Sequence, residues 1–136
     1  MTVIPTAWRE KLTDIWLAET FTVIIAIVSA TYGVVVIVTA HDLLKAVSFR
    51  QAFAWAPPYV WGLTMVVLGV FMLGLLAHSR LAAAVPAGLL ALAWIAWALP
   101  IIQSPGFLWT AFVIYAGMAA FTLATALALL VPRRKA

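Results

Sequence analysis

Residues 81–132 decide the fold. They form a run of 52 residues without a formal charge, LAAAVPAGLLALAWIAWALPIIQSPGFLWTAFVIYAGMAAFTLATALALLVP. One α-helix of that length would extend for about 78 Å, whereas the hydrocarbon core of a bilayer is about 30 Å thick. The run must therefore fold back. Its one cluster of turn-forming residues is Gln103-Ser104-Pro105-Gly106. We expect a tight hairpin there, between membrane spans at residues 81–102 and 107–131.

Two earlier stretches are also long enough to cross a membrane. Glu19 and Asp42 are separated by 22 residues without a formal charge, and Arg50 and Arg80 by 29. We expect spans at residues 20–40 and 59–77, the second beginning after a pair of prolines. A bilayer admits only helices or closed barrels, and these stretches lack the alternation of a barrel strand. The sequence predicts an all-α membrane protein, a four-transmembrane-helix bundle forming a single domain over residues 1–136.

The composition excludes several classes of protein. Hydrophobic residues make up 67% of the chain and charged residues 9%, with a mean hydropathy of +1.16. A soluble domain has roughly 45–50% apolar and about 25% charged residues. A disordered chain, a soluble enzyme and a protein whose main role is nucleic-acid binding are therefore excluded. The absence of cysteine excludes disulfides and thiolate metal sites.

The basic residues predict an orientation. With four spans, both termini and the turn near Arg80 share one side of the membrane, and six basic residues lie there. The other side has two, Lys45 and Arg50. The positive-inside rule then predicts an inner (plasma) membrane protein with both termini in the cytoplasm. The net charge is +4, and the basic residues behind it lie almost entirely at the ends of the apolar runs. Basic groups at such positions anchor spans and attract lipid headgroups.

Three segments lie outside the predicted spans. Residues 6–19 have the apolar spacing of an amphipathic helix, which we expect to lie in the membrane interface. The outer loop, residues 41–58, should contain a short interfacial helix that ends at its proline pair, and Asp42 and Lys45 are spaced to form an ion pair. Residues 132–136 form a basic tail.

The tryptophans predict two aromatic belts that anchor the bundle at the membrane interfaces. The expected interfacial anchors are Trp8 and Trp16 on the cytoplasmic side, and Trp55, Trp61, Trp94, Trp97 and Trp109 on the other side.

The spans lack the side chains of membrane chemistry. None of the four predicted spans contains Asp, Glu, Lys, Arg or His. The spans therefore lack the ionisable side chains on which proton relays and ion-coupled transport usually depend. His41 and His78 fall at opposite faces of the membrane and cannot share a metal or a haem. The sequence also lacks nucleotide-binding and hydrolase motifs. We therefore expect no catalytic residue, cofactor or metal.

Small residues recur at the spacing of helix contacts. The second span has Gly62 and Gly69 on one face, and the first span has a matching face of small residues. The fourth span has an unbroken i+4 row, Ala116, Ala120, Ala124 and Ala128. Such faces let helix backbones approach closely in lipid. Two interpretations stay open, packing within one chain and self-association.

In its overall organisation the chain resembles the small four-helix membrane proteins encoded by phages of high-GC actinobacteria. Some of these membrane proteins act as holins. The resemblance covers the leader Trp8–Glu19, the four uncharged spans and the basic tail Arg133-Arg134-Lys135. It implies a non-enzymatic protein that self-associates and permeabilises the membrane. Two alternatives remain: an accessory or scaffold subunit bound to a membrane-protein partner, and a small transporter or channel for a neutral solute.

Overall fold

The computed structural model describes residues 15–104 and 109–131. Every regular element in these ranges is helical. In chain order the elements are α1 (Ile15–Val38), α2 (Ala40–Leu43), a 3₁₀ turn (Val47–Phe49), α3 (Arg50–Trp55), α4 (Pro58–Leu76), α5 (Arg80–Ile102) and α6 (Trp109–Leu130).

Four of these helices, α1, α4, α5 and α6, are long and apolar enough to cross a membrane. They form a bundle in which α1 packs on α4, α4 on α5 and α5 on α6, and α6 contacts α1 less extensively. The predicted fold class, an all-α bundle of four membrane helices, is confirmed. About half of α5 is buried, the largest share among the four.

The backbones of α1 and α4 approach each other closely at three glycines, Gly33, Gly62 and Gly69. A Cβ atom built on Gly62 would lie 2.5 Å from the carbonyl oxygen of Gly33, and one built on Gly69 would lie 2.7 Å from the carbonyl oxygen of Ala26. The pairing of Gly33 with Gly62, and of Ala26 with Gly69, means that the two helices are antiparallel. Because glycine has no Cβ, the backbones can touch here.

The first helix begins earlier than the predicted span. α1 is continuous from Ile15, so residues 15–19 belong to the same helix as the span and not to a separate interfacial helix. The remainder of the predicted interfacial helix, residues 6–14, lies outside the described residues, as do Pro105–Leu108 in the predicted hairpin and the basic tail at 132–136.

The connections between the helices follow local sequence rules. Ala56 is extended before Pro57, which ends α3, and Pro58 occupies the first turn of α4, where its missing N–H is not needed. Ser79 precedes α5, and its hydroxyl accepts a hydrogen bond from the backbone N–H of Ala82 at 3.4 Å. α5 then continues through Pro86 and Pro100, as membrane helices tolerate.

The outer loop is divided into α2, the 3₁₀ turn and α3 instead of one short helix. Residues 47–55, which we call the cap, pack against α5, and Ala52 is fully buried. The predicted ion pair is present in this loop, with Lys45 Nζ 3.8 Å from Asp42 Oδ1, and both side chains are exposed.

The glycine contacts lead to a test of the bundle. We expect Gly62→Ala to lower the free energy of unfolding by about 1–3 kcal/mol, because its methyl group would overlap the backbone of α1. Gly74→Ala is the matched control on the same helix, since a Cβ there meets no atom within 4 Å. Unfolding in mixed detergent micelles measures both variants. Equal stability of the two would contradict the close packing of α1 on α4.

Candidate functional site

The interior of the bundle near the cap is filled by seven aromatic side chains, which we call the aromatic core. Its members are Tyr32, Phe49, Phe53, Trp61, Trp94, Trp97 and Tyr115. Trp97 lies at the centre, with ring centroids 5.2 Å from Trp61 and 5.7 Å from Phe49 and Phe53. These separations are typical of favourable aromatic pairs. The aromatic core therefore joins α1, α4, α5, α6 and the cap.

The indole N–H groups of these side chains have hydrogen-bond acceptors inside the protein. Trp97 Nε1 donates to the Tyr32 hydroxyl at 3.1 Å, and that hydroxyl donates to the Tyr115 hydroxyl at 2.8 Å. Trp94 Nε1 donates to Ser29 Oγ at 3.1 Å. An unpaired donor in hydrocarbon costs several kcal/mol, so these bonds allow the indoles to lie deep inside the protein.

The cap is held on the aromatic core by hydrogen bonds from two different helical ends. Ser104 Oγ lies 2.9 Å from the carbonyl oxygens of both Val47 and Ser48, to which it can donate. Trp61 Nε1 donates to the carbonyl oxygen of Ala52 at 3.1 Å. Phe49 stacks on Trp97 with an interplanar angle of 27°. The cap thus closes this end of the bundle.

The prediction of interfacial anchors is wrong for three tryptophans. Trp94 is 1% exposed, Trp97 is fully buried and Trp61 is buried as well, so none of them faces the membrane interface. The physical reason is that each indole N–H finds an acceptor inside the chain. Trp55 and Trp109 are exposed, the latter by 71%, as an anchor requires. Trp16 lies in the first turn of α1, and Trp8 is outside the described residues.

The predicted packing residues fall into two groups. Gly62 and Gly69 are buried in the contact of α4 with α1, within one chain. The alanine row on α6, Ala116, Ala120, Ala124 and Ala128, is directed away from the core: Ala120 and Ala124 are exposed, and the other two are half-buried. The buried residues of α6 are different ones, including Ala119, Thr122 and Ala126.

The opposite end of the bundle has an ion pair between two membrane helices. Arg80 Nε lies 3.7 Å from Glu19 Oε1, and their side chains are 17% and 33% exposed. Glu19 was expected in the interfacial helix, but it belongs to α1, one turn inside its start. The two residues are 61 positions apart in the sequence, and the length and charge of single spans do not predict that they pair. The sequence does contain a signal for the pair: Glu19 and Arg80 have opposite charges and lie at the beginnings of two parallel spans.

The hydrogen-bonded aromatic core was also missed, although the sequence contains a signal for it. Ser29 and Tyr32 are three residues apart on α1, and their partners Trp94 and Trp97 are three apart on α5. The two pairs therefore face each other in register on parallel helices. Chemically, the arrangement offers buried hydroxyl and indole groups engaged with one another, together with an outer surface of apolar side chains.

Comparison of the chain with protein-family models, with curated proteins and with solved structures finds no match. The interpretation of the site therefore depends on its geometry.

The buried and exposed tryptophans provide a test of the aromatic core. We expect Trp97→Ala to lower the free energy of unfolding by about 3 kcal/mol, because it removes a large central side chain and the donor to Tyr32. Trp109→Ala, at an exposed position, should change that free energy by less than about 1 kcal/mol. Unfolding followed by circular dichroism measures both. Equal losses would contradict the central position of Trp97.

Proposed function

We propose that the protein is a non-enzymatic integral membrane protein that self-associates in the plasma membrane and permeabilises it in the manner of a holin. Four apolar helices are compatible with integral membrane insertion. The observation that carries the proposal is the contrast between the filled interior of one copy and the small-residue face that α6 leaves on its outside.

The filled interior argues against a solute path through a single copy. A transporter or channel lines its path with polar or water-accessible groups. In this bundle, Trp94, Trp97 and Ser29 are buried, and their polar atoms bond to protein partners. Thr22, Thr122 and Thr125 donate to carbonyl oxygens of their own helices. A lesion would therefore form between copies, and the alternative of a single-copy transporter is disfavoured.

The alanine row is the surface best suited to contact between copies. Along α6, Ala120 and Ala124 are exposed beside larger exposed residues such as Leu123 and Leu127. A groove of small side chains lets a second helix approach closely, and close packing stabilises helix association in lipid. Within one chain, the close contact of α1 with α4 uses glycines and not this row.

The proposed orientation places both termini in the cytoplasm. The turn before α5 is on the same side as the termini and has Arg80, and the loop at the opposite end has Lys45 and Arg50. With the basic residues near the termini included, the excess of positive charge favours this orientation.

A second candidate is an accessory subunit that binds a membrane-protein partner through the surface at the cap. Val47 and Trp55 in the cap are exposed, and so is Leu44 in the segment just before it. They would form the centre of a docking surface, as apolar and aromatic residues do in other interfaces. This candidate predicts that expression of the chain alone leaves the membrane potential of the host unchanged.

The holin-like proposal is tested by enlarging the alanine row. We expect expression of the native chain to dissipate the membrane potential of a bacterial host. The double variant Ala120→Leu/Ala124→Leu should reduce this effect at equal expression, because the larger side chains hold a second helix away. Potential-sensitive dye fluorescence measures the effect, and energy transfer between labelled copies in vesicles measures association.

The matched control is Thr31→Leu, which enlarges an exposed residue on α1 instead of α6. It should leave both association and depolarisation at the native level. A fully polarised host at high expression of the native chain would contradict holin-like permeabilisation, and unchanged association of the double variant would contradict the role of the alanine row.

A further inference from the structure

The membrane helices α1, α4 and α5 are tied to one another at several points. Glycine contacts join α1 to α4, and hydrogen bonds from Trp94 and Trp97 join α5 to α1. The cap is tied to the end of α5 through Ser104. We call α1, α4, α5 and the cap the body. The remaining membrane helix, α6, packs on the body mainly through α5 and contacts α1 less extensively.

The seam between α1 and α6 is bridged by two pairs of aromatic side chains. The Tyr32 hydroxyl donates to the Tyr115 hydroxyl at 2.8 Å. The rings of Phe21 and Phe121 meet edge to face, with centroids 4.9 Å apart. Between these bridges, Val28 on the same face of α1 is 41% exposed. Long side chains therefore bridge the seam, whereas glycines let the backbones of α1 and α4 touch.

Several hydroxyl groups keep most of their hydrogen bonds if the seam opens. The Tyr32 hydroxyl also accepts from Trp97 Nε1, so it retains this partner when Tyr115 moves away. Thr122 and Thr125 are buried on α6 and donate to carbonyl oxygens of their own helix. Each threonine hydroxyl can still accept a bond from water. Movement of α6 away from α1 would thus expose polar groups at the expense of one hydrogen bond and one ring contact.

The alanine row lies beside one of the two bridges. Phe121 follows Ala120 directly and precedes Ala124 by three residues, and its side chain is 38% exposed. Residues three apart are neighbours on the surface of a helix. A second helix packed on the alanine row would contact the Phe121 ring and compete with Phe21 for it. Association of copies and opening of the seam are therefore coupled through this ring.

A lesion between copies needs polar groups that the outer surface of α6 lacks. Its large exposed side chains, such as Leu123 and Leu127, are apolar. Water-filled paths are lined by groups that hydrogen-bond to water or to the permeant species. The nearest such groups are the hydroxyls behind the seam.

We propose that α6 moves away from α1 when copies associate, and that the hydroxyls of Tyr32 and Tyr115 then line the lesion. The movement leaves the body intact, so Ser29 stays covered by Trp94. This inference rests on the holin-like proposal and names the residues and the motion by which it would act. In a single copy the seam is closed.

Distances between spin labels test the movement. Labels on Leu17→Cys and Leu130→Cys report on α1 and α6 at two exposed positions of the same end of the bundle. Labelled copies are diluted into unlabelled native chain, so that distances within one copy are measured. This distance should lengthen as the ratio of protein to lipid is raised and copies associate.

The matched control is Leu17→Cys with Leu81→Cys, because both positions are exposed and both lie on the body. Their distance should be the same at every ratio of protein to lipid.

Locking the seam tests its role in permeabilisation. The chain has no cysteine, so Phe21→Cys/Phe121→Cys places two thiols that a short bis-maleimide can join across the seam. In vesicles, the cross-linked protein should still associate, as measured by energy transfer between amine-labelled copies, but lose its depolarising effect. The same double variant without the cross-linker is the control and should depolarise the vesicles.

The outcomes separate this inference from the function on which it rests. An unchanged distance from Leu17→Cys to Leu130→Cys in associated copies would overturn the inference, and so would full depolarisation by the cross-linked protein. Neither result contradicts permeabilisation by associated copies. A native chain that neither associates nor depolarises would contradict the holin-like proposal and this inference with it.

Discussion

A hydrogen-bonding group inside a bilayer must find its partner within the protein, and this chain meets that constraint by pairing indoles with hydroxyls. Trp97, Tyr32 and Tyr115 form a continuous series of hydrogen bonds between α5, α1 and α6, and Trp94 and Ser29 form a second link between α5 and α1. The same side chains fill the interior near the cap. The same residues therefore provide both the buried hydrogen bonds and the packing of the core.

This arrangement determines which surfaces are left for function. The interior of one copy holds aromatic rings, and its glycines are used where α1 meets α4. The alanine row of α6 remains outside, and polar groups gather at the end of the bundle where Arg80 and Glu19 meet. The proposed function, by association with further copies, relies on these outer surfaces.

The sequence predicts the architecture well because spans are set by length, charge and hydropathy. The 52-residue uncharged run required a fold-back, and the structure has helices on both sides of the region with Gln103 and Ser104. Burial of individual residues follows from how each helix is rotated, which span length does not specify. Trp94 and Trp97 lie in the half of α5 nearest the cap, toward a helix end where tryptophan often faces lipid, but the rotation of α5 places them inside.

Pairs between distant segments were harder still to predict. Phe49 and Trp97 are far apart in sequence, and their stacking depends on how the cap folds over the bundle. Arg80 and Glu19 meet only because α1 and α5 begin at the same end of the bundle and their side chains reach each other across it. The small residues on matching faces of the first two spans predict a close helix contact. Their spacing does not show whether that contact lies within one chain or between two copies.

The most direct test of the account is whether water reaches the interior of a single copy. The chain has no cysteine, so Ser29→Cys would be its one thiol and would lie buried between α1 and α5 beside Trp94. In sealed vesicles, a membrane-impermeant maleimide should leave Ser29→Cys unlabelled until the protein is denatured, while Lys45→Cys in the exposed loop reacts fully when that loop faces the reagent. Rapid labelling of Ser29→Cys in the folded protein would contradict a filled interior and indicate an aqueous path through one bundle.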